Sequence, residues 1–168
     1  MPRRLLRSLT LASAVVVLAA SAGAATTPIY RAPGIVLRYP AGWHVDNRPL
    51  TAWTNPAQRF VLSSYRVPDG RPNLDGTYSP PPGGVIADLV EQQAPGPDLH
   101  GIPLRPAHFT LPHLSGHLEG FGDHWGEVGF REHGRIFAIF VGVGAHTAAR
   151  KIAQLLHTLD TMRIARHA

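Results

Sequence analysis

Apolar and polar positions alternate in short runs along most of this chain, then change to a helical period near the C-terminal end. Ile35, Leu37 and Tyr39 fall on one side of an extended segment, with Val36 and Arg38 on the other. Pro40-Ala41-Gly42 supplies a turn, and Trp43-His44-Val45 resumes extended structure. Residues 59–67 read as a second strand, with Phe60, Leu62 and Ser64 opposing Val61, Ser63 and Tyr65. Val85-Ile86-Ala87-Asp88-Leu89-Val90-Glu91 has a length that suits a strand or a short helix, and its β-branched content favours the strand. Further short strands are predicted over residues 107–111, 117–121 and 125–131. Glu132-His133-Gly134 then makes a tight hairpin turn, and the chain returns over residues 135–143. Ile136-Phe137-Ala138-Ile139-Phe140-Val141 is apolar on both faces, which suits a strand inside a sheet.

The helical period follows. Ala148, Ile152, Leu155, Leu156, Leu159 and Met162 form one apolar stripe, and Thr147 is placed to cap its start. Arg150, Lys151, Gln154 and His157 fall mostly off the stripe. Such a helix lies across a sheet and buries its stripe there. Residues 25–33 read as a loose lead-in, and residues 68–84, rich in Pro, Gly and Asp, as a long flexible loop. Residues 94–106 form another Pro- and Gly-rich connection. The pattern predicts an α+β fold, a largely antiparallel sheet of about six or seven strands packed by a C-terminal helix.

The N-terminus adds a compartment. Pro2-Arg3-Arg4-Leu5-Leu6-Arg7 precedes an apolar run over residues 9–20 and a small-residue exit, Ser21-Ala22-Gly23-Ala24-Ala25. This is the build of a secretory signal peptide with a cut after Ala24, so residues 1–24 form the leader and residues 25–168 a single exported domain. The run falls short of the roughly 20 apolar residues that a membrane span needs. An uncleaved leader is the one route by which a membrane enters this reading. Arg3-Arg4 also matches the arginine pair of a twin-arginine signal, a pair found in many ordinary leaders.

Charge changes once the leader is removed. The leader carries three of the 16 basic residues and none of the 11 acidic ones, leaving 13 against 11. A balance of +2 without a clustered basic face does not point to nucleic acid. There is no cysteine, which rules out disulfides, thiolate metal sites and cysteine nucleophiles.

Ten histidines are the one compositional excess. His108, His113, His117 and His124 make a candidate zinc or copper set, with Glu119 and Asp123 as further donors. Pro112 and Gly116 argue against a helix that would bring His113 and His117 to one face. On a strand, positions four apart are about 13 Å from each other, so only a turn at Ser115-Gly116 would unite them. His117-Leu118-Glu119 matches half of a zinc-deaminase signature whose other half needs cysteines. Gly142-Val143-Gly144 lies between strand and helix, but too few residues follow for a dinucleotide-binding unit, so it reads as a tight turn. None of Ser63, Ser64, Ser79 and Ser115 sits in a nucleophile elbow. Tyr39, Trp43, Trp53 and Trp125 are candidates to line a ligand groove.

Leu37-Arg38-Tyr39-Pro40-Ala41-Gly42-Trp43 resembles the first strand and turn of PsbP-like proteins. Gly134-Arg135-Ile136-Phe137, the long strand to Gly144, and the helix ending Leu159-Asp160-Thr161-Met162-Arg163-Ile164 resemble the closing part of small exported actinobacterial proteins. The resemblance implies a sheet flanked by helices, used as a binding or assembly module, and implies no catalytic residue; no cofactor is expected. The leading expectation is an exported non-enzymatic domain that binds a protein or a small ligand at the cell envelope. A histidine-based metal-binding protein and a hydrolase of unrecognised type are the alternatives.

Overall fold

A computed structural model describes residues 27–50, 55–68, 79–93, 101–114 and 124–166. In chain order the elements are β1 (Ile29–Ala32), β2 (Ile35–Arg38), β3 (His44–Asp46), β4 (Ala57–Ser63), β5 (Val85–Glu91), β6 (Trp125–Glu132), β7 (Arg135–Val143), α1 (Ala149–Thr161) and β8 (Arg163–Ile164). The architecture is α+β. Five strands form an antiparallel sheet in the order β3-β4-β5-β7-β6, and three form a second in the order β1-β2-β8.

The β6–β7 hairpin turns as its sequence requires. His133 and Gly134 have φ of 54° and 78°, the two positive values that a two-residue turn uses to match strand twist. Glu132 pairs with Arg135 across it. β5, left between strand and helix by length, is a strand, paired on both sides and buried throughout. β7 is likewise an interior strand.

Alternation along the large sheet creates two apolar layers. On one face Phe60, Leu62, Val85, Ala87, Leu89, Phe130, Phe137, Ile139 and Val141 meet Leu155, Leu159 and Met162 around α1 and Ile35, Leu37 and Ile164 of the small sheet. On the other face Val61, Ile86, Val90, Trp125 and Phe140 gather with Leu50 and Val67. Of the expected helix stripe Leu155, Leu159 and Met162 are buried and Ile152 and Leu156 lie at the margin, whereas Ala148 precedes the helix and is exposed.

Several expectations need correction. The lead-in over 25–33 contains strand β1, whose residues pair with β2 through a turn at Pro33-Gly34 where Gly34 has φ 69°. One sheet becomes two, because β2 pairs with β1 and β8 and the Pro40–Gly42 turn carries the chain away to the larger sheet. Thr147 does not cap α1: the N-cap is Ala148, without a side-chain bond, and Thr147 Oγ1 donates toward the carbonyls of Gly84 and Gly144. Residues 107–111 form no strand. Phe109 N–H instead donates to Asp160 Oδ1 at 2.7 Å, and the ring stands edge-on to Phe130. β4 covers Ala57–Ser63 rather than 59–67, ending where Ser63 Oγ turns to bond the Tyr65 carbonyl. The strand predicted over 117–121 and the leader lie outside the described residues. No helix among the described residues is long and apolar enough to cross a membrane.

Candidate functional site

β5 places two acidic side chains inside the protein, on opposite faces of the large sheet. Asp88 is 1% exposed and Glu91 3%. The chemistry around them differs completely.

Glu91 is satisfied. Its Oε1 accepts from Arg135 Nε at 2.7 Å, and its Oε2 accepts from Arg135 Nη2 and from Arg59 Nε, both at 2.6 Å. Arg135 continues to the Ala165 carbonyl at 3.2 Å, and Tyr30 donates its hydroxyl to the Arg59 carbonyl. Burial pushes the Glu91 carboxyl up, but the hydrogen bonds and charges of Arg135 and Arg59 outweigh it and hold the group below its ordinary value. The bidentate pair ties β5 and β7 to the small sheet, a structural role.

Asp88 has no such company among the described residues. It alternates with Ile86 and Val90 on the face away from α1, directly opposite Val61 of β4 and Phe140 of β7. Its Oδ1 has no hydrogen-bond partner, and no ion pair reaches the carboxyl among the described residues. Burial alone pushes it up to about 8, so the group is a protonated acid at neutral pH. A buried acid without a charge partner marks a candidate site, because nothing among the described residues repays its desolvation.

The apolar layer around Asp88 is built tightly. Gly142 lets the Trp125 indole approach β7 closely: a Cβ there would come 2.7 Å from Trp125 Cε2 and 2.9 Å from Ile86 Cγ2. Trp125, Ile86, Phe140, Val61 and Val90 so form the wall, and Leu50 and Val67, carried on connections rather than strands, complete it. Register extends the site sideways. Asp46 of β3 pairs with Val61, and Glu127 of β6 with Phe140, so Asp46, Val61, Asp88, Phe140 and Glu127 form one row across the sheet. Arg48 hydrogen-bonds Asp46 and holds its carboxyl below the ordinary value.

The residues proposed from sequence are distributed differently. Tyr39 and Trp43 pack against the α1-side core, whereas Trp125 is fully buried in the opposite layer, so these three do not line one groove. Trp53 lies outside the described residues, as does His117. His108, His113 and His124 are exposed, and His108 Nδ1 sits 3.2 Å from Asp160 Oδ2. No group of three or more His, Asp or Glu that could hold a metal ion occurs among the described residues. The segment read as a tight turn is not one: Gly142 and Val143 belong to β7 and the turn follows at Ala145-His146, while a Cβ on Gly144 would run into the Pro81 carbonyl oxygen.

The sequence pattern does not by itself single out Asp88 as a site residue. The available signal was one ionisable residue centred in an otherwise apolar strand with β-branched residues on both sides. Comparison with protein-family models, with curated proteins and with solved structures returns no match.

Proposed function

We propose that this chain is an exported, non-enzymatic binding module, and that the layer of the large sheet facing away from α1 receives a small ligand with an apolar body. The leader and the resemblance to PsbP-like proteins support the first part. The second part rests on one observation, the unpartnered Asp88 oxygen at the centre of an apolar wall. A folded chain gains nothing by leaving a polar atom there, whereas a ligand with a complementary group turns the cost into affinity and selectivity.

Leu50 and Val67 are the parts of the wall that a ligand displaces, since both are borne by connections that can shift without breaking the sheet. The test is a thermal-shift screen of small aromatic and aliphatic compounds at neutral pH against the purified protein and its Asp88→Asn variant. Compounds that stabilise the parent and lose that effect in the variant support the reading. A screen in which nothing stabilises the parent refutes it.

A further inference from the structure

Resting on that reading, we propose that Asp88 is the anchor of a site for an organic cation, a primary amine on an apolar body, whose ammonium group hydrogen-bonds the free carboxyl oxygen while its body packs against Phe140, Trp125 and Val61. Two observations converge on this ligand class. The first is the unpartnered oxygen, which offers an acceptor in a setting without water-accessible competition. The second is the aromatic character of the wall: Phe140 stands directly opposite Asp88, and Trp125 lies over the neighbouring Gly142. Ring faces attract cations and apolar bodies alike. Asp46 and Glu127 lie on the same face two strands away on either side, each about 10 Å from Asp88 at ordinary strand spacing.

β4 presents Val61 and β7 presents Phe140 next to Asp88, neither of which titrates. β3 brings Asp46, compensated by Arg48, together with His44, and β6 brings Glu127 and Arg131. The connection after β4 carries Tyr65, which packs against this layer, and Arg66. Arg48, Arg66 and Arg131 offset Asp46 and Glu127 around the site, so the choice of a cation rests on the free Asp88 oxygen and the ring faces beside it.

Binding then moves a proton. The free site holds Asp88 as the neutral acid, with burial pushing its carboxyl up to about 8. An ammonium ion seated against it favours the carboxylate, so the acid releases its proton to solvent while the amine keeps its own. Affinity for a permanently protonated amine accordingly rises about tenfold from pH 6 to pH 7 and levels off above the pKa of the free acid.

Calorimetric titration of the protein with phenethylamine and with its neutral counterpart, phenethyl alcohol, in phosphate and in Tris at pH 7 tests this. The amine is expected to bind with release of about one proton per ligand, because a carboxyl with a pKa of about 8 is mostly protonated there. The alcohol is expected to bind about tenfold more weakly with no proton release, and Asp88→Asn to abolish the difference between the two probes. The proton count needs no variant, so a poorly folding Asp88→Asn leaves the test intact. Equal binding of both probes without proton release overturns the cation assignment and leaves a ligand-binding face standing. Failure of both probes to bind overturns it too, and the binding-module reading falls with it only when the wider thermal-shift screen is also empty.

Discussion

Arg135 grips Glu91 through two parallel hydrogen bonds of 2.7 and 2.6 Å, with both side chains 3% exposed. The pair joins neighbouring strands and reaches the small sheet through the Ala165 carbonyl. Such a pair is strongly destabilising to break on one side, because the remaining charge is left buried and alone. Glu91→Leu is expected to cost about 3–5 kcal/mol by urea denaturation. Glu91→Leu combined with Arg135→Met should recover much of that loss. A single variant within about 0.5 kcal/mol of the parent, the range of an ordinary surface change, would show that the pair is not a tie between the sheets.

Gly142 and Trp125 make a second dependence. The indole occupies the space of a Cβ at Gly142, with Ile86 closing the other side. Gly142→Ala therefore forces Trp125 off the sheet, at about 1–3 kcal/mol for overpacking a filled core. Gly129→Ala on β6 meets nothing within 4 Å and serves as the control. Tryptophan emission should shift to longer wavelength in Gly142→Ala and stay unchanged in Gly129→Ala.

The fold was largely legible because strand alternation and the helical stripe are one-dimensional patterns. Ile35 and Leu37, Phe60 and Leu62, and Leu155 and Leu159 all land on the face their spacing assigns. The division into two sheets was not legible, since it depends on which strand β2 chooses as partner, and β8 contributes only Arg163 and Ile164. The lead-in hid β1 because Pro28 and Pro33 flank a strand of four residues. Sequence singled out aromatics and histidines as site residues, types that report composition. Asp88 gains its meaning from what surrounds it in space, a layer assembled from β4, β5, β6 and β7 and two connections.

The helix supplies a sharper test of packing. Leu155 is fully buried among the α1-side core residues, whereas its neighbour Gln154 faces solvent. Leu155→Ala should destabilise by about 2–5 kcal/mol, as a large-to-small change in a close-packed core does. Gln154→Ala should stay within about 0.5 kcal/mol of the parent. Leu156, half-buried at the edge of the stripe, should fall between them, with Leu156→Asp well below Gln154→Asp in melting temperature. Equal melting temperatures for the two aspartate variants would remove α1 from the core.

Asp88 makes stability depend on pH in a direction opposite to the other two acids. Its folded-state value of about 8 lies above the ordinary 3.8, so between those values the folded chain holds a proton that the unfolded chain has released. Folding stability contributed by this group is complete below about pH 4, declines by about 1.4 kcal/mol per pH unit as pH rises toward 8, and is flat beyond. Glu91 and Asp46, both held below their ordinary values, act the other way: their contribution is present above the unfolded values and is lost as acid reprotonates them. The parent should therefore be most stable in mildly acidic solution. Asp88→Asn keeps the shape of the protonated acid and cannot ionise, so it removes the alkaline decline while leaving the acid limb in place. Urea denaturation at pH 5, 7 and 9 should show the variant gaining on the parent at each step. Parallel stability curves for the two proteins would mean that Asp88 ionises freely in the folded state, and the apolar enclosure described around it would then be wrong.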